Sequence, residues 1–292
     1  MNLSYTVQSK DINKTINDIL INEFGLSNRL RVKLIKNKKI SCNNQLANTL
    51  NFVQVEDIIC VDLSNDEDNS NIVSTNMNLD ILYEDEWFLV INKPAGIAIH
   101  PSNSHYADSL SNGVKTYFDK IGLHKKIRPV NRLDLNTSGV VIFAKCEYIQ
   151  EQFSKQMLNH IFQKEYLCIV DKNLEKPSGT ISLHISRKPN SIIERCVNEN
   201  GKPCITHYEV LENLENYSLV KCKLETGRTH QIRVHFSAIG HPLLGDTLYG
   251  SPSSLIDRQA LHSYKIELFH PVFKKKMSFE CNLPLDMKSL LH

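Results

Sequence analysis

Across residues 10–24 the apolar Ile12, Ile16, Ile19, Leu20 and Phe24 recur every three or four positions, which predicts an amphipathic helix that Gly25 closes. Ser27 then offers a cap for a second helix, in which Leu30, Leu34 and Ile35 form an apolar side while Arg29, Lys33 and Lys36 fall on another. Residues 39–42 and 57–63 read as short strands around polar turns. After a polar stretch the pattern resumes, with buried-strand candidates at 87–92, 140–144 and 166–170 and a helix over 148–162 through Phe153, Met157 and Ile161. Residues 208–211 and 219–224 read as paired strands. A helix then spans about 230–239, with Ile232, His235, Phe236 and Ile239 on its apolar side and Arg233 off it. Strands and helices mix without regular βαβ units, so the fold class expected is α+β, not a doubly wound sheet.

Residues 64–78 (SNDEDNSNIVSTNMN) are polar and acidic and read as a linker, which divides the chain into a small domain over 1–63 and a larger one over 79–292. Charge follows the same division. Residues 1–61 carry 8 Lys/Arg against 5 Asp/Glu, 62–86 carry none against 8, and 87–292 carry 26 against 19. The net charge of +2 therefore hides two basic bodies separated by an acidic stretch, a distribution compatible with a nucleic-acid partner. No apolar run reaches the ~20 residues of a membrane span and the first residues lack the apolar core of a secretion signal, so a cytoplasmic protein that avoids membranes is expected. The eight cysteines form no C-x-x-C pair, which argues for reduced thiols and against a metal site.

The common signatures of nucleotide hydrolysis, dinucleotide redox chemistry and serine or zinc hydrolysis are absent. His230, His235 and His241 are close in sequence but would point in different directions from a helix and its following loop. What remains is the segment 128–139 (RPVNRLDLNTSG), dense in polar residues just ahead of an apolar strand. Its Asn131-Arg132-Leu133-Asp134 followed by Thr137-Ser138-Gly139 resembles the R-L-D-x-x-T-S-G signature of RluA-type, RluD-like RNA pseudouridine synthases. Asn92-Lys93-Pro94-Ala95-Gly96 with His100-Pro101, then Lys164-Glu165-Tyr166, then the run from Thr226 to His235 fit the same family in the expected order, and His241 to Asp246 with Leu261-His262 extend the match. The resemblance covers about residues 79–280. One departure is visible: Asn131 stands where the family commonly has His, at a position not assigned to bond making.

The resemblance implies a mixed, mostly antiparallel sheet in the catalytic domain and the isomerisation of uridine to its C-glycoside, a redox-neutral rearrangement that needs no cofactor. Asp134 would be the catalytic carboxylate, with attack at C1′, attack at C6 and proton abstraction at C2′ all open. Arg233 would be its guanidinium partner. Tyr166 would stack on the uracil and help remove the C5 proton, or else serve as a core aromatic. Arg132 would fill the gap left by a flipped base or hold a phosphate. Leu261 would pack against the base or the core, and Arg228, Thr229 and His230, with Lys93, would shape the loop and the RNA surface.

The first 63 residues resemble a small S4-type RNA-binding module through Ser27, Arg29, Ile35, Ile40, Asn44, Asp57, Ile59 and Val61. Arg29, Lys33 and Lys36 are its candidate RNA contacts. Such a module points to ribosomal RNA, of the large subunit, ahead of transfer RNA; a monomer is expected. The rival readings are a ribosome assembly factor that binds RNA without turnover and a hydrolase of the glycosidic bond.

Overall fold

The protein, seen in a computed structural model, is described over residues 1–291. It opens with β1 (Asn2–Thr6), α1 (Ile16–Asn22), α2 (Asn28–Lys36), β2 (Ile40–Cys42), β3 (Gln45–Leu46) and β4 (Ile58–Asp62). The four strands make one antiparallel sheet ordered β1-β4-β2-β3, in which Leu3 and Ile40 both face Val61 from opposite sides. The helix expected over 10–24 begins only at Ile16. Thr15 caps it, accepting from the Asp18 N–H at 3.2 Å while Asp18 accepts from the Thr15 N–H at 2.8 Å. Ahead of that cap Asn13 adopts a left-handed φ of 69°, which breaks any helix continuing from residue 10 and leaves Ile12 exposed.

The rest of the chain forms β5 (Ile81–Glu84), β6 (Phe88–Lys93), α3 (Leu110–Lys120), β7 (Arg128–Pro129), β8 (Ser138–Ala144), α4 (Glu147–Leu158) and β9 (Gln163–Asp171). It continues through β10 (Ser178–Ser182), β11 (Ile185–Arg187), β12 (Arg195–Val197), β13 (Ile205–Asn213), β14 (Tyr217–Leu224), α5 (Gln231–Ala238), β15 (Leu261–Phe269), β16 (Lys276–Glu280) and α6 (Leu285–Lys288). One large sheet runs β10-β13-β14-β9-β15-β8-β6-β5, with β16 added to β15 and β7 to β8. Among the described residues β8 and β15 are its single parallel pair, so the architecture is α+β with a mostly antiparallel sheet.

β8 is an unbroken apolar run because both of its faces are covered. Val140 and Ile142 join Phe88 and Phe153 on one side, while Val141 and Phe143 meet α3 through Val114 and Phe118 on the other. β9 divides its side chains in the same way: Tyr166, Cys168 and Val170 pack towards Ile232 and Phe236 of α5, and Leu167 and Ile169 towards Met287 and Leu290.

The core of the first body is continuous with the second: Leu30, Leu34 and Ile59 share one cluster with Trp87, Tyr148 and Phe153. Residues 64–78 are laid along the larger body, where Arg128 holds Glu67 with two hydrogen bonds of 2.6 and 2.7 Å. Among the described residues no helix is long and apolar enough to cross a membrane.

Candidate active site

Asp134 sits in the turn between β7 and β8, where the Thr137 N–H donates to the Asp134 carbonyl at 3.1 Å. Lys93, at the end of β6 and fully buried, braces this turn from below by donating to the carbonyls of Pro94, Ile97 and Leu135 at 2.8, 2.7 and 2.9 Å. Burial and the nearby Arg258 pull its pKa down to about 7. Three carbonyl acceptors nevertheless call for three N–H donors, which only the ammonium form supplies. Arg258 holds the far side, donating to the Asn136 carbonyl at 3.0 Å and the Leu261 carbonyl at 3.3 Å while paired with Asp286. Gly139 is required where β8 meets β15: its φ is +116°, and a Cβ there would lie 2.2 Å from the Ser263 carbonyl oxygen.

Asn131 is buried and works for the strand. Its Nδ2 donates to the Val140 carbonyl and its Oδ1 accepts from the Ile142 N–H, each at 2.9 Å, so both ends of the amide are engaged by β8.

Opposite the turn stands α5. Arg233, in its first turn, donates from NH1 to Asp134 Oδ2 at 3.0 Å and from Nε and NH2 to the two oxygens of Asp246 at 2.7 and 2.8 Å. The ring of Tyr249 lies 5.0 Å from the guanidinium. Burial opposes the charge of Arg233, but the Asp246 hydrogen bonds and the two carboxylates outweigh it and push its pKa up. The helical spacing placed Arg233 off the apolar side correctly, yet its position is buried between two acids. Asp134 Oδ1 has no hydrogen-bond partner among the described residues, so one oxygen is fixed and the other is free.

His230 adopts a left-handed φ of 59° ahead of α5. Its Nδ1 lies 2.7 Å from the Tyr249 hydroxyl and its Nε2 lies 3.7 Å from Asp134 Oδ2. Burial lowers its pKa against the pull of the Asp134 charge, which favours the neutral ring. Because the Tyr249 hydroxyl already accepts from the Arg195 N–H at 2.8 Å, its own proton is available to His230 Nδ1, leaving the Nε2 hydrogen to face Asp134.

Asp134, Arg132, Tyr166, Leu261, Arg228, His230 and Arg233 line one opening, and Thr229 lies on its extension, a cleft of about 330 Å³. Tyr166 and Leu261 are buried walls, at 6% and 5% exposure. Burial, then the Asp134 charge, pushes the Tyr166 hydroxyl pKa up. Arg29, Lys33 and Lys36 are not brought to this cleft. They lie on α2, where Arg29 and Lys33 meet Glu147 at 3.5 and 2.7 Å and Lys36 is exposed.

Sequence reasoning assigned no role to Asp246, Tyr249 or Gln231. Gln231 clamps the loop before α5, accepting from the Thr226 hydroxyl at 2.8 Å and the Arg228 N–H at 3.1 Å while donating to the Ile205 carbonyl and the Thr206 hydroxyl. Asp246 lay inside a matched motif, but nothing in its neighbours marks it as the partner of an arginine. Chemically, the site offers a carboxylate oriented through one oxygen, beside an aromatic wall and below exposed cations. It can serve as nucleophile or base towards a flat ring carried on an anionic chain. Among the described residues no cluster of side chains could hold a metal ion.

Comparison with known proteins agrees with this arrangement. The family described as RNA pseudouridylate synthase matches residues 87–238, a span that includes Asp134, Tyr166 and Arg233. The chain is 36% identical over 270 residues to the uncharacterized RNA pseudouridine synthase YjbO of Bacillus subtilis, covering 92% of this chain and 95% of that protein. It is 31% identical over 305 residues to the ribosomal large subunit pseudouridine synthase D of Salmonella typhimurium, covering 99% and 93%. The solved structure of human RNA pseudouridylate synthase domain containing 1 aligns with a TM-score of 0.58 at 26% identity, over 73% of this chain and 93% of that one. With the family match covering more than half of the chain and the relatives spanning nearly all of it, this protein belongs to the RNA pseudouridine synthase family and is an enzyme of that class.

Proposed function

We propose that the protein isomerises uridines of large-subunit ribosomal RNA to pseudouridine, with Asp134 as the catalytic carboxylate. The observation that carries this reading is the Asp134–Arg233 pair at 3.0 Å, which leaves Asp134 Oδ1 free inside a cleft walled by Tyr166 and Leu261. The reaction breaks N1–C1′, rotates the uracil, joins C5 to C1′ and exchanges the C5 proton for one on N1, so it is redox-neutral and calls for no cofactor. Tyr166 supplies a stacking surface and a hydroxyl beside the departing C5 proton, Arg233 orients Asp134, and exposed Arg132 takes the gap left by the extruded base.

The choice of RNA follows the name of the Salmonella relative. Residues 1–63 act in this reading as an S4-like RNA grip, 64–78 as the stretch joining it to the catalytic domain over 79–292. The Ser27-capped basic helix and its four-stranded sheet support that assignment, and Lys36 is the member of the basic trio left without an acidic partner among the described residues.

The test is incubation with unmodified large-subunit ribosomal RNA, read by mass and by a pseudouridine-selective chemical probe. Isomerisation leaves the mass unchanged and creates probe-reactive sites, and Asp134→Asn removes them. Loss of uracil would identify a hydrolase, and binding without either change would identify an assembly factor.

A further inference from the structure

We infer a second nucleotide-binding site beside the catalytic cleft, which receives a nucleotide flanking the target uridine in the same RNA chain; this rests on the reading of the cleft as an RNA site. An opening of about 550 Å³, within the ~300–1,000 Å³ usual for ligand sites, lies between the end of α4 and the end of β14. It is continuous with the catalytic cleft, because Met157, Lys164, Leu224, Gly227 and Arg228 line both.

Its walls suit a nucleobase. Met157 and Leu224 are half-buried and Leu158 is 79% exposed, so apolar surface faces the opening without a protein partner covering it. A thioether and branched aliphatic chains accept the flat face of any base, a recognition that tolerates sequence.

The charges suit a phosphate between two such sites. Neither Lys164 nor Arg228 forms an ion pair among the described residues, and burial lowers the pKa of Lys164, the mark of a desolvated ammonium without a carboxylate. The acid on this rim, Glu225, hydrogen-bonds His207 at 2.5 Å and pairs with neither Lys164 nor Arg228. Lys164 and Tyr166 are two positions apart on β9 and therefore share a face, roughly 6.6 Å along the strand. A cation thus stands one short step from the aromatic wall of the catalytic cleft. Gly227 lies close beside Lys164, whose Nζ would be 3.0 Å from a Cβ there.

The test uses Ser154→Trp and Leu158→Asp, residues that line the second opening and not the catalytic cleft. Labelled RNA stem-loops cut from transcribed large-subunit ribosomal RNA are scanned with single abasic nucleotides, and affinity is read by anisotropy with folding checked by thermal unfolding. Wild type should lose about tenfold in affinity at one abasic position within a few nucleotides of a uridine. Both variants should bind intact RNA about tenfold more weakly and no longer distinguish that position. Lys164→Ala should flatten the salt dependence and Lys164→Arg restore it. Three results would overturn the inference: variants that bind as wild type does, variants that keep the abasic sensitivity, or a wild type that shows none. Pseudouridine formation is measured in parallel. The abasic signature without isomerisation would sink the proposed activity and leave this site standing, and isomerisation without the signature would do the reverse.

Discussion

The basic helix α2 and the rim of the catalytic cleft carry similar side chains in opposite circumstances. On α2 and around it most of the cations are held within the chain: Arg29 and Lys33 share Glu147, Lys39 meets Asp62 at 2.6 Å and Lys14 meets Asp11 at 2.7 Å, while Arg31 and Lys36 have no acidic partner among the described residues. Around the cleft Arg132, Lys164 and Arg228 form no ion pair among the described residues. A count of Lys and Arg makes both regions look equally suited to RNA. Phosphates compete only weakly for a cation that already has a carboxylate at 2.7 Å, so more attraction is left over at the cleft rim than at Lys33.

The largest effect expected is on chemistry. Asp134→Asn should lower turnover by about 10²–10⁴-fold or more while changing RNA affinity less than tenfold, as measured by single-turnover assays and binding isotherms. A similar loss in both quantities would mean that Asp134 holds RNA instead of acting on it. Next, Asp246→Ala leaves a buried guanidinium with one of its two acids and should destabilise the fold by about 3–5 kcal/mol in urea unfolding. Asp246→Asn, which retains shape, should reduce kcat with little change in KM, because the amide keeps only one of the two acceptors that hold Arg233 and none of the charge. An unchanged kcat would remove Asp246 from the positioning of the site.

The contrast between α2 and the cleft is sharpened by salt. Arg228→Ala should flatten the slope of log affinity against log salt by about 0.7–0.9, the value for one phosphate contact, whereas the double variant Arg29→Ala, Lys33→Ala should leave it unchanged. A drop of nearly two units in the double variant would show that RNA displaces Glu147 and that Arg29 and Lys33, not Lys36 alone, carry the grip of α2.

The smallest effect concerns acid. Burial alone would raise the pKa of Asp11, but Lys14, the Tyr5 hydroxyl and the Gln8 N–H bring it to about 2, and Lys39 and Ser64 do the same for Asp62 against its burial. Carboxylates depressed on folding contribute stability that is complete above their unfolded pKa of about 3.9 and is lost as pH falls through about 2. The single tryptophan, Trp87, lies in the cluster shared by the two bodies, so its fluorescence should report loosening of the first body between about pH 4 and pH 2. Asp11→Asn should flatten that dependence.

Long apolar runs and helical spacings were legible from the chain alone, which is why the strands around 140–144 and 166–170 and helices α2, α4 and α5 stand close to where the pattern placed them. β1 was not, because a five-residue strand with only Leu3 buried leaves too little periodicity to detect. The short β11 and β12 escaped for the same reason: three residues each give no period to detect, and they pair only with each other. In the site, motif matching singled out Asp134, Tyr166 and Arg233, included Gln231 and Asp246 without giving them a role, and missed Tyr249.

Local patterning was enough to place several strands and helices, though not α3, β5, β10, β15 or β16, and to establish the α+β class and the residue types available for chemistry, since these depend on neighbours within a few positions. Pairing was settled only by folding. Asp134 meets Arg233 across 99 residues and Lys33 meets Glu147 across 114, and no periodicity extends that far. Whether a cation is spent on a carboxylate or left for a phosphate depends on what the remote chain brings within about 4 Å. Similar basic residues therefore became a seam on α2 and unpaired cations at the rim of the cleft.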